Sequence, residues 1–258
     1  MTDSARAMSK DDALDELRAM QANGQILLEG EPTTDRVSLD GWDPFAQEKQ
    51  NGNVAGVVIR YLPSGSASGQ PAGGSAPDRL DPRNALALVR FCEWLGANHG
   101  VTELYHLGIN TEVDQHGNPR TDCHGQGRAV DFVGVKLVTG DGSEIVRTVL
   151  DDWGTVRTSL TPDGAWPPDT ASAVGYRLDA EDAPDTDARD FFRQVYEFIA
   201  SQWQDRTDTP DPEDTPTGIG ERSFIMHPDH PATAPGRPNG REAHRNHIHM
   251  QIGVTGTA

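Results

Sequence analysis

The chain has 258 residues with 40 acidic and 22 basic side chains, a formal net charge of −18. Such a balance repels nucleic acid and anionic membrane surfaces, so neither is an expected partner, and no apolar run approaches the roughly 18–20 residues of a membrane span. The 27 glycines and 18 prolines demand much loop, and two cysteines are too few for a disulfide-stapled scaffold.

Residues 9–23 read as a short helix: Ser9 can cap it, Leu14, Leu17 and Met20 recur at helical spacing, and Gly24 stops it. Residues 25–54 are mixed and polar and carry no assignment. AGVVIRYL (55–62) reads as a strand, and SGSASGQPAGGSAP (64–77) as a flexible loop. Asp81-Pro82 opens a helix, a capping carboxylate followed by a proline, that runs to about His99 and stops at Gly100. Residues 101–109 and 128–138 are strand-like, and the Asp141-Gly142 turn predicts a hairpin over 128–150. Residues 151–185 read as irregular.

A second clear helix spans about 188–203, with Phe192, Val195, Tyr196, Ile199 and Trp203 on one face. Residues 204–219 are acidic and Pro-rich, a solvated loop. RSFIMH (222–227) and NHIHMQIGV (246–254) are short strand candidates. The pattern predicts an α+β fold, a small antiparallel sheet flanked by helices with long irregular acidic loops.

The chemistry concentrates in nine histidines, five of which lie in the last 32 residues. His124 precedes Asp131 by seven positions, with Gly125 and Gly127 between them, so a loop histidine can fold back onto a carboxylate of the strand that follows. In Asn246-His247-Ile248-His249-Met250-Gln251-Ile252, strand alternation puts His247, His249 and Gln251 on one face and the apolar residues on the other. Two histidines and one aspartate form a common catalytic zinc set that leaves a fourth position for water. Cys123, beside His124, reads as a small loop residue ahead of a thiolate ligand or disulfide partner, and Cys92 as a buried thiol on a helix.

Other candidates compete with plain structural roles. His227 and His230 (HPDH) read as a loop ahead of a second metal site, and His106 as a core or strand histidine. His99 ends a helix, where an imidazolium would suit the dipole, and His116 sits in a turn. The acidic run 179–190 lacks the order and glycine of a calcium-binding EF-hand, so a solvated loop is preferred.

Residues 124–131, HGQGRAVD, resemble the H-x-x-G-x-A-x-D signature of the zinc peptidase superfamily that includes D-Ala-D-Ala carboxypeptidases, murein endopeptidases, lysostaphin and hedgehog. RAVDFVGVKLVTGDGSEIVRTVLDDWG (128–154), DFFRQVYEFI and the closing H-x-H are most similar to the extensin-like C-terminal domain, a bacterial branch of that clan. The resemblance implies zinc ligands His124, Asp131 and His249. Many members place a carboxylate base three residues before the last ligand, where this chain has Asn246. The murein endopeptidases instead carry histidines five and two residues before it, which implies His244 and His247 as catalytic candidates, with Glu242 a substitute.

On that resemblance, residues 55–258 form a zinc peptidase-like catalytic domain and 1–54 an acidic, helical N-terminal extension. The implied activity is D,D- or L,D-carboxypeptidase or endopeptidase cleavage of peptidoglycan stem peptides or cross-links, with Zn(2+) as cofactor. The alternative is an inactive zinc-containing cell-wall or protein-binding module of the same fold. No ordinary secretory signal opens the chain. The expectation is therefore synthesis in the cytoplasm and action on the wall after non-classical release, injection or lysis, as a toxin or lysis effector. The N-terminal segment is then a candidate for contact with delivery machinery.

Overall fold

The computed structural model describes residues 3–39, 54–72, 77–109, 116–153, 155–157, 174–176, 178, 185–203, 225–228 and 244–253. The helices are α1 (Lys10–Ala22), α2 (Pro82–His99), α3 (Val149–Asp152) and α4 (Thr186–Gln202). The strands are β1 (Leu28–Glu29), β2 (Ser38–Leu39), β3 (Val58–Tyr61), β4 (Val101–Gly108), β5 (Ala129–Val138), β6 (Glu144–Thr148), β7 (Thr155–Arg157), β8 (Val174–Tyr176) and β9 (Ile248–Gln251). The fold is α+β. No helix among the described residues is long and apolar enough to cross a membrane.

Helix boundaries follow their caps. The Ser9 hydroxyl accepts from the Asp12 N–H, and the Asp81 carboxylate accepts from the Arg83 N–H ahead of α2. Gly100 closes α2 at φ +64°, a left-handed conformation that suits glycine. Asp185, inside the acidic run once weighed for calcium, caps α4 by accepting from the Ala188 N–H.

The main sheet runs β3-β4-β5-β6, and β9 also pairs β5. All its pairings are antiparallel except β3 with β4, which are parallel because α2 carries the chain across between them. Strand β5 organises the site. One edge pairs with β4, while the other is shared: β6 takes Gly134–Val138 and β9 takes Ala129–Phe132. The hairpin over 128–150 is present. RSFIMH contributes a single bridge, Met226 with His249, among its described residues. The stretch 151–185 also yields a two-stranded β7-β8 pair. The acidic loop 204–219 and His230 lie outside the described residues.

One apolar cluster joins the layers. Leu86, Val89, Phe91 and Leu95 of α2 meet Phe132 and Val135 of β5, Ile248 and Met250 of β9, and Phe192, Val195, Ile199 and Trp203 at α4. Leu14 and Leu17 of α1, with Ile26, Val37 and Leu39, belong to the same cluster, so residues from the N-terminal extension are built into this core. Leu62, Tyr105 and Val133 form a second, smaller cluster.

Register shifts between β4 and β5 change which residues face the core. Val130 and Phe132 face α2, Val133 faces the other way, and Val135 and Leu137 return to the core side. Asp131, Val133 and Lys136 therefore share the face turned away from α2. The Gly/Ser stretch expected to be a flexible loop is tied to the fold where it is described. Asp151 accepts from the Ser66 hydroxyl at 3.0 Å and the Ala67 N–H at 2.6 Å, and Ala72 bridges Tyr61.

Candidate metal centre

The segment before β5 turns back on itself. The Gly127 N–H donates to the His124 carbonyl at 3.0 Å and the Arg128 N–H to the Cys123 carbonyl at 2.7 Å, which folds His124 over the start of the strand. Gly127 is at φ +68°, and a Cβ there would lie 2.4 Å from the Arg79 carbonyl oxygen, so a side chain would both strain the turn and clash. The Gly127 carbonyl accepts from the Asp81 N–H and from Asn84 Nδ2, and Asn84 Oδ1 accepts from Trp203 Nε1 at 2.7 Å. The loop is thus fixed to α2 and to the end of α4.

Strand pairing brings the remaining groups in. Asp131 lies opposite His249 across β5-β9 and opposite Gly108 across β4-β5. Strand β9 buries Ile248 and Met250 in the core and turns His249 and Gln251 to the other face, as the alternation predicts. His124, Asp131 and His249 each offer a ligand atom, and these atoms lie within 4.8 Å of one another. His124 Nε2 is 3.3 Å from Asp131 Oδ2, and His249 Nδ1 is 2.8 Å from Asp131 Oδ1. This His–Asp–His group could hold a metal ion.

The surroundings fit that role. Gln251 Oε1 accepts from His249 Nε2 at 2.9 Å, which leaves Nδ1 to face Asp131 and the centre. Burial alone would raise the Asp131 pKa, but its interactions with the neighbouring His124 and His247 rings and hydrogen bonds from His124 and His249 hold it well below the usual carboxylate range. Asp131 is thus ionised at neutral pH. Burial works against the His249 imidazolium, yet the Asp131 hydrogen bond and charge win and raise its pKa. Where His249 is protonated, a cation bound at this group displaces the Nδ1 proton.

His247 lies just before β9. Its Nε2 is 3.6 Å from Asp131 Oδ1, and its Nδ1 is 3.0 Å from Asn246 Oδ1. The Asn246 atom facing Nδ1 is the amide oxygen, which can only accept, so Nδ1 carries the proton and Nε2 is left unprotonated toward the centre. Burial lowers the His247 pKa and Asp131 partly offsets this, so the ring is held neutral. The His244 ring stands 5.0 Å from His247 and 6.2 Å from His249 between centroids. The five residues singled out from sequence, His124, Asp131, His244, His247 and His249, all line one cleft of about 320 Å³.

Arg120, Asp122, Cys123 and Gln251 line it too. Cys123 is buried, forms no disulfide and lies outside the His–Asp–His group. Arg120, ion-paired with Asp122, and Gly108 were not singled out from sequence. R-x-D four residues before His124 is too common a pattern to mark a site, and Gly108 has no side chain to signal a role. A Cβ at Gly108 would lie 3.3 Å from Asp131 Oδ2 and 3.7 Å from His124 Cε1, so the missing side chain is what leaves room for those groups to meet.

The other histidines fall elsewhere. His106 is fully buried, and burial pushes its pKa down to about 3. His227 is packed edge-on against Tyr196 and beside Trp153 in the core. His99 lies edge-on to Trp94 and Phe191, and burial lowers its pKa, which disfavours the imidazolium expected at the helix end. Cys92 is a buried free thiol of the α2 core face, as read from sequence.

Compared with known protein families, characterised proteins and solved structures, the chain matches none.

Proposed function

We propose that this protein is a zinc-dependent peptidase that hydrolyses peptide bonds in peptidoglycan stem peptides or cross-links. The observation that carries the reading is the meeting of His124, Asp131 and His249 in an open cleft with His247 Nε2 turned toward them. Two imidazoles and one carboxylate suit Zn(2+), a borderline-soft cation, and leave a coordination position open. The substrate class follows from the order of motifs, HGQGRAVD and then H-x-H, which resembles the murein peptidases.

Zinc bound there would supply a Lewis acid for the peptide carbonyl and lower the pKa of a coordinated water toward 7. The chain's own residues do the rest. His247, neutral and aimed by Asn246, takes the proton of the attacking water at Nε2 and delivers it to the leaving amine. His244, beside it, is placed to hydrogen-bond the developing oxyanion when protonated. Asp131 stays ionised throughout, and Gln251 keeps His249 in its orientation.

Asn246 in place of a carboxylate favours a second reading, a zinc-containing binding module without turnover. Digestion of purified murein by zinc-loaded protein separates the two. Wild type releases new muropeptides, whereas His247→Ala binds zinc as tightly and loses activity by about 10²–10⁴-fold, the range of a lost general base. Normal turnover in His247→Ala would remove its assigned role, and no muropeptides from wild type would leave the binding module.

A further inference from the structure

We propose that a second pocket, on the sheet face turned away from α2, binds a zwitterionic amino-acid end of the substrate, an ammonium and a carboxylate carried on one carbon. The inference rests on the peptidase reading and extends it from the cleaved bond to the substrate's far end. The pocket has a volume of about 420 Å³. Its floor is Leu62, Tyr105 and Val146, and the loop through Ala67 and Pro71 walls one side.

Two ion pairs line it. Arg60 Nε meets Glu103 Oε2 at 2.9 Å, and Lys136 Nζ meets Glu144 Oε2 at 2.8 Å. Glu103 also accepts from the Tyr105 hydroxyl at 2.9 Å. Both signs of charge are thus presented side by side over an apolar floor. An ammonium has three donors and a carboxylate about four acceptor positions, so Lys136 and Glu144 can each take a further partner without breaking their own pair. A ligand with one charge would meet a repelling neighbour in either pair, whereas a group carrying both signs on adjacent atoms is complementary to the whole.

The placement ties this pocket to the metal centre. Lys136 and Asp131 share a strand and a face, five residues apart, or roughly 16 Å at strand rise. The same loop reaches both sites, since a Cβ on Gly65 would lie 2.7 Å from Asn246 Nδ2 while Ala67–Pro71 border the pocket. An extended peptide of about five residues spans that distance. Stem peptides are branched and carry free amino-acid ends, so one arm can sit in the pocket while a bond of another lies at the metal.

The test is a titration of full-length, methyl-labelled protein with free meso-diaminopimelic acid and, separately, with its di-N-acetyl derivative, which keeps both carboxylates and loses both ammonium charges. The free diamino acid shifts the Leu62 and Val146 methyl signals, and the derivative gives a tenth of that shift or less. The double variant Lys136→Met, Glu144→Gln abolishes the shift and, on murein, raises KM about tenfold with kcat unchanged. Equal shifts from both compounds, no shift at all, or shifts that survive the double variant would overturn the proposal. Should the double variant fail to fold, the two compounds on wild type still decide. Shifts without murein cleavage would uphold the pocket and sink the peptidase reading; cleavage without shifts would do the reverse.

Discussion

Gln251 and Asn246 each settle which nitrogen a histidine offers. Gln251 accepts from His249 Nε2 and turns Nδ1 inward; Asn246 accepts from His247 Nδ1 and turns Nε2 inward. A consequence for pH follows from the raised His249 pKa. Below that pKa a metal must displace a proton from Nδ1, so affinity weakens as pH falls. Each ion that binds the protonated group releases that proton; calorimetry in buffers of different ionisation enthalpy reads it directly. The buried His106 acts on stability. Its folded pKa, about 3, lies below the ordinary 6.5, so below pH 6.5 the unfolded chain binds a proton that the folded one refuses. Stability falls with decreasing pH by up to roughly 1.4 kcal/mol per unit for this group and is fully regained above pH 6.5. His106→Leu flattens that slope in urea denaturation at pH 5 and pH 7.5.

At the scale of elements, the centre depends on how closely β4, β5 and β9 approach. Gly108→Ala places a methyl 3.3 Å from Asp131 Oδ2. The ligands must yield by a few tenths of an ångström, and zinc affinity falls about 10-fold while the fold persists, measured by competition with a chelator. Asn84 links the ligand loop to α4 through Gly127 and Trp203. Asn84→Leu removes the acceptor of the buried Trp203 indole N–H, leaves the Gly127 carbonyl with the Asp81 N–H alone, and costs about 1–3 kcal/mol in chemical denaturation. These elements explain what was legible in the sequence. Caps at Ser9, Asp81 and Gly100 are local chemistry, so α1 and α2 could be read directly. The alternation in HIHMQI was also legible, because β9 has one apolar and one polar face. The parallel β3-β4 pair, the bulges that flip β5 and the bare floor at Gly108 arise from pairings between distant segments, which a single sequence does not display. The same holds for Arg120, which reaches the cleft only because the loop folds.

For the whole molecule, the N-terminal segment shares the core that supports the site. Leu17 of α1 is fully buried in the cluster that contains Phe91 and Phe132. Leu17→Ala costs about 2–5 kcal/mol and lowers the thermal midpoint of the entire chain in one transition; a separate, early transition would instead mark α1 as an independent unit. Charge shapes the molecule's encounters. With a net charge of −18, the chain offers a field that attracts cations, and Asp131 is the fixed anion where one would rest.

The most direct test of the account is the zinc content per chain, by mass spectrometry after dialysis, of wild type beside Asp131→Asn. The account predicts one zinc per wild-type chain and none in the variant, because the asparagine keeps the shape of Asp131 and removes the charge that unites His124 and His249. Equal zinc in both proteins, or zinc in neither, would contradict it.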